Sequence, residues 1–193
     1  MSELNGMIGE VVQSSTTRFR AVAKQVFEPP RFGSFVKVSA NDGIVYGVVA
    51  AVETASFDSA RRAMAFGMPW DQLLREQPQL IELIQTEFDA AVIGYGEGGS
   101  LHHYLPPYPP RLHDFVSACS PTEVAALTDS LEFVRTLAAL RDGPVHELIA
   151  AAIREASLAR GRDELFVAEA ARAVAELFKD EYDLAMSIVR RIG

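Results

Sequence analysis

Three histidines, His102, His103 and His113, are the only clustered side chains of a type that moves protons or binds metal near neutral pH. His102 and His103 are adjacent in Leu101-His102-His103-Tyr104-Leu105, which reads as a strand. Neighbours on a strand point to opposite faces, so the pair cannot share one ion without distortion. His113 can meet one of them only across the sheet. All three are read as partly exposed strand histidines, with no metal or cofactor assigned; a small metal- or His-dependent enzyme stays as the third-ranked reading. Ser14-Ser15-Thr16-Thr17 offers hydroxyls, but no Gly-x-Ser-x-Gly elbow surrounds it, and a polar turn is expected. The single cysteine, Cys119, follows Val116-Ser117-Ala118 and is read as a buried small residue rather than a reactive thiol. Gly96-Glu97-Gly98-Gly99 resembles a phosphate loop only superficially. It lacks the Lys-Ser or Lys-Thr pair and the following helix, so it is read as a hairpin turn.

The elements that would position these groups begin with Met7 to Thr54, read as four strands. Phe19 to Phe27 alternates loosely, as a half-buried strand does. Phe35-Val36-Lys37-Val38 and Ile44 to Val49 flank Asp42-Gly43, a hairpin signal that calls for positive φ at the turn. Pro29-Pro30 breaks the ladder, and Gly9, Gly33 and Gly47 sit where a curled sheet bends or lets backbones approach. Short, interrupted strands favour a closed barrel, which leaves no open edge. Thr54 to Ala65 reads as a connection. Trp70–Arg75 and Pro78–Ile84 read as two short helices inserted between strands, with Leu73, Leu74, Leu80, Leu83 and Ile84 inward. Phe88 to Tyr95 and Leu101 to Leu105 return to strand. Pro106-Pro107-Tyr108-Pro109-Pro110 is a stiff crossover, and His113 to Cys119 is a last short strand.

Ser120-Pro121-Thr122-Glu123 is a capping box with proline in the first turn. Val124, Leu127, Leu131, Val134 and Ala138 then recur at helical spacing up to Asp142-Gly143-Pro144. A second helix presents Leu148, Ile149, Ala152 and Ile153. A third, capped by Asp163, presents Phe166, Ala170, Val174 and Leu177. Tyr182, Ala185, Met186 and Val189 suggest a fourth. The fold class expected is α+β: a small closed antiparallel barrel of about six strands over residues 7–119, with a helical insertion near 70–85, then a helical bundle over 120–193.

Charge constrains partners. The 193 residues carry a formal net charge of −8, and residues 1–119 and 120–193 each hold 9 basic and 13 acidic side chains. No basic tail or stripe exists to neutralise phosphates, so direct binding of nucleic acid is not expected. The start lacks the basic and apolar regions of a signal peptide, and no apolar run is long enough to span a membrane. A cytoplasmic protein is the expectation.

The first part resembles a known family. Ile8-Gly9-Glu10-Val11-Val12, Glu28-Pro29-Pro30-Arg31-Phe32-Gly33 and Ile44-Val45-Tyr46-Gly47-Val48-Val49 are similar, in order and spacing, to the HAS-barrel family. This is the small barrel at the N-terminus of HerA DNA-translocating ATPases and of rotary ATP synthase subunits. Pro78-Gln79-Leu80, Thr86-Glu87-Phe88 and Leu105-Pro106-Pro107 resemble its stand-alone cyanobacterial version. The resemblance implies a ring-forming accessory barrel, normally joined to a motor. No Gly-x-x-x-x-Gly-Lys-Ser/Thr occurs in this chain, and helices stand from Ser120 where the motor would begin, so no catalytic residue carries over. What survives is assembly: a non-enzymatic homo-oligomer or adaptor docking on a partner such as a separately encoded HerA- or FtsK-type ATPase. The alternative is an accessory factor of a DNA translocase. Phe32, Phe35, Tyr46, Tyr104 and Tyr108, with Arg61 and Arg62, are the candidate interface, with barrel filling as the other reading of the aromatics.

Overall fold

The computed structural model describes residues 6–40, 43–56 and 65–192. Among the described residues seven strands precede the main helices: β1 (Met7–Ser14), β2 (Arg18–Ala23), β3 (Phe35–Ala40), β4 (Gly43–Ser56), β5 (Ile84–Glu97), β6 (Ser100–His102) and β7 (Phe115–Ala118). Six of them close a ring in the order β1-β7-β3-β4-β5-β2, because β2 pairs with both β1 and β5. Every pairing is antiparallel, and β6 hangs on β5 outside the ring. This is the closed barrel expected from the sequence.

Closure has local causes. Register shifts at Val11/Gln13, Tyr46/Gly47 and Val49/Ala51 mark bulges that curl the strands. A Cβ on Gly9 would lie 2.7 Å from the Val22 carbonyl and 2.9 Å from the Phe88 ring, so only glycine lets β1 come this close to β2 and the Phe88 ring. The hairpin between β3 and β4 pairs Ala40 with Gly43; Asn41 and Asp42 lie outside the described residues. Gly43 is the first residue of β4 rather than a turn centre. Its missing side chain leaves room for the Gly96 carbonyl opposite. Gly98 and Gly99 both have positive φ, and with Glu97 paired to Ser100 they form the two-residue turn between β5 and β6.

The middle strands bury both faces. Val45, Val49, Ala90 and Val92 point into the barrel with Val11, Phe19, Val36, Phe88 and Val116. Tyr46, Val48, Ala91 and Ile93 point out and join Phe35 beneath the helices. The uninterrupted apolar runs of β4 and β5 follow from this double burial, where a one-sided strand would alternate. The helices are α2 (Pro121–Thr128), α3 (Glu132–Ala138), α4 (Val145–Ala159), α5 (Glu164–Leu177) and α6 (Tyr182–Ile192). They share one core with the outer barrel face, in which Leu127, Phe133, Leu137, Ile149, Ile153 and Ile188 are central.

Several expectations need correction. The helix expected from Ser120 to Leu140 is broken: Leu131 adopts φ 55°, between α2 and α3. Buried Thr128 turns its hydroxyl back onto the Val124 carbonyl, and Arg160 donates to the Ala125 carbonyl and to Thr128, so side chains take over at the end of α2. Five helices therefore replace the three or four expected. In α6 the inward face is Ala185, Ile188 and Ile192, and Tyr182 is exposed. The insertion is α1 (Trp70–Glu76) followed by a 3-10 turn over Pro78–Leu83; of the five residues expected inward, only Leu73 is buried, and Ile84 opens β5. Strand β2 stops at Ala23, short of Phe27, and the return strand stops at His102. Among the described residues, no helix is long and apolar enough to cross a membrane.

Candidate functional site

The crossover from β6 to β7 links opposite sides of the ring, since β5, which carries β6, stands three places from β7 in either direction. Pro106 and Pro110 are buried and anchor this strap. Between and around them it presents Tyr104, 61% exposed, Tyr108, 74% exposed, and the exposed Leu105 and Leu112. Proline fixes φ, so these apolar groups are displayed on a stiff backbone. Beneath them Tyr95, His102 and Tyr104 form an aromatic cluster, with Tyr95 and His102 rings 4.7 Å apart and Tyr95 and Tyr104 edge to face at 5.6 Å. The Tyr104 hydroxyl lies 3.1 Å from His102 Nδ1, and its hydrogen bonding to Tyr95 pushes the Tyr95 phenol above its usual range. Tyr95, Tyr108, Pro106, Pro107, Ile44 and Glu97 line a shallow groove beside the strap.

The three histidines are not brought together. His102 belongs to the tyrosine cluster, whereas His113 lies on the loop before β7 with Nδ1 2.6 Å from Glu10 Oε1 on β1. Among the described residues no group of three His, Cys, Asp or Glu side chains is arranged to hold a metal. The turn at Ser15 is polar as expected, its hydroxyl donating to the Arg18 carbonyl at 2.9 Å.

The interface candidates divide. Tyr104 and Tyr108 are on the strap. Phe35 is only 4% exposed and packs edge-on against Phe133 of α3 at 5.8 Å, and Tyr46 is buried beside it, so both contact the chain's own helices and are core. Phe32 is half-buried against the same core. Arg61 and Arg62 lie outside the described residues.

Between β3, β7 and α2 sits a screened ion pair. Lys37 Nζ donates to Glu123 Oε1 at 2.6 Å, and Glu123 also accepts from the Ser120 backbone in the capping box. Burial alone would raise the Glu123 carboxyl, but Lys37 and Ser120 outweigh it and hold it below the usual range. Burial, helped by Glu123, pushes the Cys119 thiol up to about 12, so it is protonated and unreactive at neutral pH.

A charged ladder crosses β2, β5 and β4. Arg20 of β2 forks onto both oxygens of Asp89 of β5 at 2.9 and 2.8 Å and reaches Glu87 at 3.5 Å. Glu53 of β4 stands directly opposite Glu87. Sequence reasoning missed this group, because only the strand register aligns the four residues. It also missed the edge-to-face pair of Phe27 and Trp70, 5.1 Å apart, both at the surface.

Residues 8–98 match the family model described as the HAS barrel domain. This chain carries a HAS barrel domain. The matched stretch covers β1 to β5, and the sixth strand of the ring, β7, follows it. No curated protein matches the chain.

Proposed function

We propose that the protein is a non-enzymatic assembly module whose HAS barrel docks on other protein surfaces, through self-association or onto a partner such as a separately encoded HerA- or FtsK-type ATPase. The observation that carries this reading is the strap: exposed Tyr104, Leu105, Tyr108 and Leu112 held on a backbone stiffened by buried prolines. Aromatic groups presented rigidly cost little ordering entropy on binding and dominate contact energies where they are found at interfaces. His102 pairs with Tyr104 of the strap and His113 with Glu10 of β1, so these two histidines do not converge on one point.

The test compares the native chain with Tyr104→Ala/Tyr108→Ala by light scattering at micromolar concentration and by co-purification from the source cells. The reading expects a complex larger than the 21.1 kDa chain, weakened about tenfold or more in the variant. A strict monomer with no stoichiometric partner would remove it.

A further inference from the structure

We infer that the outer edge of β4 from Ala50 to Ser56 is a docking edge for an extended segment of a partner protein, added as a strand with a Lys or Arg facing Glu53. Strand β4 pairs with β5 along its whole length, from Gly43 opposite Glu97 to Ser56 opposite Ile84. Its other edge is covered only in part. Pairing with β3 ends at Val48 opposite Phe35, and the last backbone bonds there are Gly33 N–H to the Val49 carbonyl at 2.8 Å and Val49 N–H to the Ser34 carbonyl at 3.0 Å. A bulge follows between Val49 and Ala51 and turns the strand away from β3. Among the described residues no backbone group bonds the outer edge beyond it. Ala51 to Ala55 are exposed, with Val52 at 40%.

At ~3.3 Å per residue this leaves roughly 20 Å of unpaired N–H and C=O groups. Such a row recognises one kind of occupant, an extended peptide backbone. The segment Ala50-Ala51-Val52-Glu53-Thr54-Ala55-Ser56 carries no proline and no lysine to block such pairing.

Charge selects the occupant. Arg20, the acidic pair Glu87 and Asp89, and then Glu53 lie in successive strands β2, β5 and β4. Arg20 bonds Asp89 and Glu87 directly and acts on Glu53 only through space, so three acids share one cation, and Glu53 stands opposite Glu87, a like-charge pairing that is destabilising in a sheet. Among the described residues no ion pair reaches Glu53. A cation on the next strand out, about 4.8 Å away, completes the alternation. A second copy of this chain does not fit, because faces must match when two such edges pair about a two-fold. That places Glu53 opposite Glu53, Ala51 or Ala55, and in each register two acidic edges meet without a cation.

The inference concerns a surface separate from the strap, and the test distinguishes the two. The full chain, labelled with nitrogen-15, is titrated with two heptapeptides of alternating Thr and Val that differ only in a central Arg or Glu. The expected result is amide shifts and slowed hydrogen exchange confined to residues 50–56 and their β5 partners. Affinity for the Arg peptide should be about tenfold above that for the Glu peptide, and salt should weaken it. Glu53→Lys should reverse the preference, and Tyr104→Ala/Tyr108→Ala should leave it unchanged. No shifts with either peptide at millimolar concentration, equal binding of both, shifts elsewhere, edge amides already protected in the free chain, or concentration-dependent shifts without peptide would each overturn the inference.

Discussion

Gly33 shows how one residue fastens the barrel to its helices. It has φ +85°, and a Cβ there would lie 2.5 Å from the Ala151 side chain and 2.7 Å from the Ala151 carbonyl carbon on α4. Backbone strain and overlap act together, so Gly33→Ala should destabilise the fold by about 2–4 kcal/mol, measurable as a lower urea midpoint. A change under half that size would mean that the loop gives way. Cys119 offers a pH-dependent counterpart. Its folded thiol lies at about 12 against 9.0 for the free group, so the native state holds the proton longer. Stability from this thiol is intact below pH 9 and falls by ~1.4 kcal/mol per unit as pH climbs from there toward 12. Cys119→Ala should flatten that alkaline slope in denaturation curves. Glu123 acts on the acid side. Its lowered carboxyl contributes stability above the free value of 4.5 and loses it as pH falls further. Glu123→Gln should cost about 1–2 kcal/mol at pH 7, since the pair with Lys37 is only partly screened from solvent, and much less at pH 3.

At the scale of elements, the strand pattern was legible where residue types carry geometry. The apolar runs at Ile44 to Val49 and Phe88 to Ile93 and the Ser120-Glu123 cap stand as read, while the turn read over Gly96 to Gly99 narrows to Gly98-Gly99 because Gly96 and Glu97 belong to β5. What was not legible depends on partners distant in sequence. The stripe Val124, Leu127, Leu131, Val134 is continuous in spacing, but Arg160, more than thirty residues on, reaches the end of α2, and the chain turns at Leu131. Likewise Phe35 and Tyr46 could be read as interface or as barrel filling, and the docking of the helices against the outer barrel face makes them core. The strap was readable as a crossover from its prolines. That Tyr108 faces out while Pro106 and Pro110 face in follows from packing at the barrel end. The ladder at Arg20, Glu53, Glu87 and Asp89 needs register, which bulges shift by one residue at a time.

For the whole molecule, the shared core decides how the parts respond to damage. Phe133 is fully buried between the helices and the outer face of β3, against Phe35. Phe133→Ala should cost about 3–5 kcal/mol, and strand and helix signals should melt together in one transition. Separate transitions would mean that barrel and helices are independent units. The same packing commits Phe35, Tyr46, Val48, Ala91 and Ile93 on the outer faces of β3, β4 and β5 to internal contact, and the proposed contacts with other proteins are the strap and the free edge of β4. The most direct measurement is the mass of the native particle by light scattering, with its co-purifying proteins identified. A stoichiometric complex that dissociates on Tyr104→Ala/Tyr108→Ala is the predicted result. A 21.1 kDa particle that retains no partner and is indifferent to that change would contradict the account.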